Sequence, residues 1–432
     1  MPRVLLGKFT DATLNLRRRH VKGMPKRGRS IPKRGKVPSQ VQKAAALPPL
    51  LKDLNERTVL DAIRTAAPIS RAEISRRAGI SKPTVSLALQ SLLDAGLVRE
   101  TEPEPGRPTY GATFFDVVPE AGLVLGLDVG AHFLRGAICD LRGEVRARQD
   151  IELDGADAEG AIDAIAGLLR MLGSASGLPT ERLDCAVVGV PGVVDADTGR
   201  LTLATNVPGL EGRDWAGDLR ERLGLPVTVE NDINLAAVGE RWRGIAQGVE
   251  DFVFLSVGTG LGAGLVLRGE LHRGRNGAAG EVDLVAAGRD DEIDPCATAV
   301  SALAAKLVAG NGRRTTLQPP FDVRAIFGAA RVGDDVARVV VEEEARRIAL
   351  HIAPIAAVSD VALVVLGGGI GANADLLLEP IRARLAEWLP YPPRVEVSSL
   401  GDGAVLTGAL AVGLRSAVDS VFANRRPLVR PG

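Results

Sequence analysis

Three glycine-rich strand exits in a fixed order constrain this chain more than any other feature. They are "GLDVG" at residues 126–130, "VGTGLGAG" at 257–264 and "LGGGIGAN" at 366–373. Each follows an apolar run, and β-rich runs alternate with helical stretches from Leu123 onward, as expected of an α/β protein. The runs "LVLGLDV", "FLRGAICD" and "EVRARQDIEL" predict a three-strand meander, followed by the helix "AIDAIAGLLRML" and the strand "CAVVGVPGVVD". Further on come "PVTVEND", "DFVFLSVGTGLGAGLVLRGEL", helices near 297–309 and 337–356, and "VALVVLGGGIGANADLLLEPIRARL".

Two such βββαβαβα halves predict a two-lobed, actin-like ATPase (ribonuclease H-like) fold with nucleotide in the cleft between lobes. The turns have a mechanical purpose there, since a residue without Cβ lets backbone N–H groups approach phosphate oxygens. Candidate nucleotide-binding residues are Asp128 and Gly130 in the first hairpin, then Gly258, Thr259 and Gly260, then Gly368 and Gly369. Asn231-Asp232 follows the strand "PVTVE". A carboxylate at such a strand end can accept a proton from a sugar hydroxyl during phosphoryl transfer, although the same pair also suits the cap of the following helix.

Upstream the pattern changes. Val59, Leu60 and Ile63 form a helical apolar stripe that ends at Pro68, and Ser70 with Glu73 has capping-box spacing before a short helix closed by Gly79. Ser81 caps a third helix with Pro83 in its first turn, where the missing N–H costs nothing. Val85, Ala88, Leu89, Leu92 and Leu93 give that helix one buried face. Its other surface offers Ser81, Lys82, Thr84, Ser86 and Gln90, short donors and a cation suited to phosphates and base edges. Two strands around Gly106, Arg107 and Pro108 follow, which completes a winged helix-turn-helix order. Arg107 at the wing tip suits an A·T-rich minor groove.

The formal net charge is zero, yet residues 1–43 hold thirteen Lys or Arg against one acidic residue, Asp11. Such a basic, Gly- and Pro-rich arm predicts disorder when free and a salt-sensitive attraction to DNA phosphates. The remainder is acidic, with 46% hydrophobic residues in the chain but only 3% aromatic, so the core must rest on Ala, Val, Leu and Ile. Cys139, Cys185 and Cys296 are too few and scattered for a disulfide framework or a four-cysteine zinc site. No apolar run is long enough to span a bilayer, and no signal-type h-region follows the basic arm. A cytoplasmic protein is expected. The domain reading is an arm over 1–49, a DNA-binding unit over 50–115, a two-lobed body over 120–418 and a tail over 419–432.

Over about Leu50 to Leu414 the chain resembles the ROK family of repressors, open reading frames and sugar kinases. The resemblance is carried by "AEISRRAGISKPTVSLALQSLLDAGLV", "GRP", "GLDVG", "GVPGVVD", "TNVPGL", "VENDINLAAVGE", "VGTGLGAGLV", "GAAGEVDL" and "LGGGIG". Family kinases lack the DNA-binding module, whereas xylose and N-acetylglucosamine repressors have it. The resemblance implies a sugar pocket of Asn206, Asn231, Asp232 and Glu281, with Asp232 as a vestigial base. Three departures bear on catalysis. Ala131-His132 stands where the kinases have Gly-Thr, Leu284 replaces the histidine of Glu-x-Gly-His, and the following cysteine cluster is reduced to Cys296. These changes argue against a structural zinc, leave no metal site, and predict a loop held by apolar packing.

The expected protein is a sugar-responsive transcriptional repressor of carbohydrate genes with a degenerate kinase cleft. Its expected partners are a palindromic double-stranded operator, a sugar effector and a second copy, as a homodimer or tetramer, with no membrane. No cofactor is required, and ATP and magnesium enter only if kinase activity survives. An active sugar kinase with an appended DNA-binding module is the alternative, and a ligand-free dimerisation scaffold a third.

Overall fold

The computed structural model describes residues 48–103, 105–106, 111–153, 157–195, 198–203, 208–285, 293–310 and 314–424. The basic arm, Arg107 and Asn206 lie outside the described residues. From Pro48 onward the chain forms one compact unit.

The first part is a winged helix. It comprises α1 (Pro48–Ala66), β1 (Ile69–Ser70), α2 (Arg71–Ala78), α3 (Lys82–Asp94), β2 (Val98–Thr101) and β3 (Phe114–Val117). The caps follow the local chemistry. Ser70 Oγ accepts from Glu73 N, Gly79 closes α2 in the left-handed region, and Ser81 Oγ accepts from Thr84 N. Val85, Ala88, Leu89 and Leu92 are buried while Leu93 is half-buried at the edge of the same cluster. The strands form a sheet in the order β1-β3-β2, so the wing has an additional two-residue strand beyond the expected pair.

The first lobe contains β4 (Leu123–Val129), β5 (Phe133–Asp140), β6 (Val145–Glu152), α4 (Ala158–Ser176), β7 (Cys185–Val190), β8 (Val193–Val194), β9 (Leu201–Thr202), α5 (Trp215–Leu223), β10 (Val227–Asn231) and α6 (Asp232–Arg243). Its main sheet runs β10-β7-β4-β5-β6, with the expected antiparallel meander β4-β5-β6 and β4, β7 and β10 parallel. The second lobe contains β11 (Phe252–Val257), β12 (Leu261–Leu267), β13 (Glu270–Leu271), α7 (Ala297–Gly310), α8 (Val323–Arg331), α9 (Asp335–Ser359), β14 (Leu363–Gly367), α10 (Gly368–Gly371), α11 (Ala374–Trp388) and β15 (Arg394–Val397). Its sheet runs β13-β12-β11-β14-β15. Each lobe has its own apolar core, built almost wholly from aliphatic residues.

The last helix among the described residues, α12 (Ala404–Asn424), leaves the second lobe and packs on the first. Leu406, Leu410, Leu414 and Ala417 lie against Val124 and Ala137. A tail is expected from 419, but α12 continues through it as far as Asn424. Val418 and Phe422, one turn apart, extend its apolar face into the winged-helix core, in one cluster with Val59, Ile63 and Leu141. No helix among the described residues is long and apolar enough to cross a membrane.

Candidate functional site

The β4-β5 hairpin turns through Ala131 and His132, both exposed, with Gly130 N donating to Phe133 O at 2.9 Å. Its register sets Asp128 opposite Arg135. Arg135 Nη1 donates to Asp128 Oδ2 at 3.1 Å, and the same guanidinium lies 3.8 Å from Asp150 and 4.0 Å from Asp402. Burial pushes the Asp128 carboxyl up to about 6, against the pull of Arg135. Arg135 is not among the residues that the motifs single out. A two-residue turn makes it the cross-strand neighbour of Asp128, so counting outward from Ala131-His132 finds it.

Strand β10 ends directly in α6. Asn231 caps this helix, its Oδ1 accepting from Asn234 N at 2.9 Å while its Nδ2 donates to Gly192 O at 2.9 Å. Those bonds leave one side-chain N–H of Asn231 for a ligand. Asp232 follows in the first turn, half-buried, its Oδ1 accepting from Ile233 N at 2.8 Å. Burial raises its carboxyl to about 7, helped by the nearby charge of Asp128. Glu281 also adds to that shift, so these three acids share one electrostatic neighbourhood. Glu281 itself is raised, first by burial and then by Asp283.

Close backbone packing holds Glu281 there. Gly280 has φ of 102°, and a Cβ on it would lie 1.8 Å from Ala263 O. Only glycine lets this loop press onto β12. Glu230, buried beneath Asn231, accepts from Asn234 Nδ2 at 3.1 Å and from Arg273 Nε at 2.6 Å. Glu230 and Arg273 were not anticipated from sequence, because their pairing spans strands and loops that no local pattern connects.

The two glycine loops of the second lobe meet each other. A Cβ on Gly258 would lie 3.5 Å from Gly369 N, and Gly368 has φ of 77° with Val257 O 2.4 Å from where its Cβ would be. Thr259 and Gly260 are exposed, and nothing lies within 4 Å of a Cβ on Gly260. This is open backbone of the kind that suits a phosphate.

At its described end, the loop before α7 is held by polar contacts as well as the apolar packing expected of it. Arg347 Nη1 donates to Asp294 O at 2.8 Å, and His351 Nε2 lies 3.1 Å from Ile293 O. Cys296 packs on the second-lobe core, and burial raises its thiol. Cys139 and Cys185 are buried, their thiols pushed up to about 12 and about 11 by burial. Their exclusion from water makes them apolar filler.

The residues expected to face DNA lie on α3 and at its N-cap. Ser81 Oγ is 2.8 Å from Thr84 Oγ1, Ser86 Oγ donates to Lys82 O at 2.9 Å, and Gln90 Nε2 donates to Asp94 Oδ1 at 2.8 Å. Lys82 is exposed and shares a hollow of about 320 Å³ with Ser70, Arg71 and Thr113, which makes Arg71 a second cation on this face.

Discrete ties join the winged helix to the body. Arg64 Nε donates to Leu141 O at 2.8 Å, Arg142 pairs with Asp116, and Arg57 pairs with Asp419 while lying 4.7 Å from the Phe422 ring centroid. Beside them is a cavity of about 1480 Å³ lined by Arg64, Trp242, Arg243 and Arg415 among others.

Comparison with known proteins agrees with this fold. Residues 124–415 match the ROK family and residues 53–108 the MarR family. The chain is 27% identical over 386 residues to the xylose repressor of Caldicellulosiruptor bescii, covering 84% of this chain and 96% of the repressor. Among solved structures, a ROK family transcriptional regulator homologous to the E. coli MLC protein superposes with a TM-score of 0.71 at 24% identity, covering 87% of this chain and 98% of that one. A ROK family glucokinase from Streptomyces griseus, in complex with glucose and AMPPNP, gives 0.56 at 28% identity, covering 67% and 99%. With the winged helix in front and two lobes around the cleft, the chain belongs to the ROK family.

Proposed function

We infer that this protein is a DNA-binding transcriptional repressor whose affinity for an operator is set by a sugar held in the cleft. The observation that carries this reading is one continuous body joining both parts. Helix α6 starts at Asp232 in the cleft and ends at Arg243, whose Nη2 donates to Gly143 O at 2.8 Å. The Leu141-Arg142 segment of that same turn is tied to the winged helix by Arg64 and Asp116. Helix α12 packs along α6 and ends in the winged-helix core. A sugar that favours one lobe closure moves these helices, and the cavity at the junction gives the winged helix room to follow. Its effect on DNA affinity can be no larger than its preference for one arrangement over the other.

In this reading Asp232, Glu281 and the remaining N–H of Asn231 take sugar hydroxyls, with Asn206 as a further partner. Ser81, Lys82, Thr84, Ser86 and Gln90 face DNA, with Arg107 in the wing and the basic arm adding phosphate contacts. A pseudo-palindromic operator read by two copies is the arrangement that suits such modules. Lys82→Ala is expected to weaken binding evenly across DNA sequences and to lower the salt dependence by about 0.9 in the log–log slope. Fluorescence anisotropy at several salt concentrations measures both. A sequence-dependent loss would instead make Lys82 a base reader.

The nucleotide side has a mixed fit. Thr259, Gly260 and Gly368-Gly369 present open backbone suited to phosphate, whereas Asp128 is engaged by Arg135 and is not free for a metal-bound phosphate. We therefore read the cleft as binding without efficient turnover, requiring neither ATP nor magnesium. The donor set beside Cys296 does not suit zinc either: Cys296 is the one thiol there, and the His351 Nε2 is already turned to Ile293 O. One observation favours the second reading, a sugar kinase: Asp232, raised to about 7, is tuned as a general base would be. Sugar phosphorylation by the wild type that disappears in Asp232→Asn would establish it.

A further inference from the structure

Leu87 is 75% exposed in the second turn of α3. Pro83, Leu87, Gln90 and Asp94 are all exposed and spaced i, i+4, i+7 and i+11, forming one narrow stripe opposite Val85, Ala88, Leu89 and Leu92. Any groove that admits α3 must meet this stripe. Asp94 at its C-terminal end is repelled by phosphates, while Lys82 and the helix N-terminus are attracted. The N-terminal half therefore enters deepest, with Leu87 on its centre line. The neighbouring polar groups are already engaged within the helix, Gln90 with Asp94 and Ser86 with the carbonyl of Lys82.

A leucine offers no hydrogen bond to a base edge. Against guanine or cytosine it would strip water from donors and acceptors and replace nothing. The apolar group on the major-groove floor is the 5-methyl of thymine. Resting on the DNA-binding reading given above, we propose that Leu87 is a specificity-determining residue that reads a thymine methyl group in the operator. The polar residues of α3 then position the helix and Leu87 selects the sequence.

The test begins with selection of bound duplexes from a randomised pool by the full chain. Each thymine of the enriched sequence is then replaced singly by uracil, which removes only the methyl, and affinities are measured for wild type and Leu87→Ala. The side chain is exposed, so the variant should melt with the wild type, and a melting curve checks this. Wild type is expected to lose about fourfold at one thymine position per half-site, the worth of one apolar carbon leaving water. Leu87→Ala should bind the thymine duplex correspondingly more weakly and be indifferent to uracil at that position. If uracil is tolerated at every position, or if the variant keeps the same loss, the proposal is overturned while DNA binding stands. If no sequence is enriched, the regulatory reading itself fails and this proposal falls with it.

Discussion

Phe422→Ala is expected to cost about 3–5 kcal/mol, the usual range for truncating a fully enclosed phenylalanine. Phe422 is 2% exposed and belongs to the winged-helix core although it comes from α12, the last helix among the described residues. The loss should fall on the junction: an early melting transition of the winged helix, with the lobes still unfolding near their original temperature. Sugar affinity should persist while its effect on DNA binding fades, because the end of α12 no longer holds the module. Differential scanning calorimetry with sugar and DNA titrations separates these effects. A single transition at the wild-type temperature would show that α12 does not anchor the winged helix.

Asp232→Asn is expected to flatten the pH dependence of stability. As pH rises past about 4, the unfolded Asp232 carboxyl ionises while the folded one keeps its proton until about 7. The folded state thus binds more protons across that window, and stability falls as pH rises, on the order of 2–4 kcal/mol in all. The amide has no such cost, so the variant should gain on the wild type most clearly at pH 8. Asp128, raised to about 6, leaves a smaller fall below that pH in both proteins. Urea unfolding at pH 4 to 8 reads the difference, and parallel curves would show that Asp232 ionises normally in the fold.

Much of the fold is legible in the sequence because local rules carry it. The caps at Ser70 and Ser81, the stop at Gly79, the meander and the glycine exits each follow from spacing within a few residues. The strand at Ile69-Ser70 is too short to show alternation, and its pairing with Phe114-Phe115 is long-range. The end of α12 reads as a tail because the cluster that Val418 and Phe422 join is built far upstream, with Arg57 of α1 over the Phe422 ring. The cleft divides in the same way. Asp128, Asp232 and Glu281 stand out by motif and share a neighbourhood in the fold, whereas Arg135, Glu230 and Arg273 act through pairings that periodicity does not encode. Arg135 matters most among these, since it occupies the carboxylate that the hairpin motif presents.

A sugar in the cleft is expected to change the affinity for DNA. Titrating pentoses, hexoses and amino sugars into protein bound to its selected operator tests it most directly. At least one sugar should shift the DNA dissociation constant by about fivefold or more, within the usual range of allosteric coupling, and Asp232→Asn should remove the shift while DNA binding remains. If no sugar in the library alters DNA affinity, the cleft does not control DNA binding.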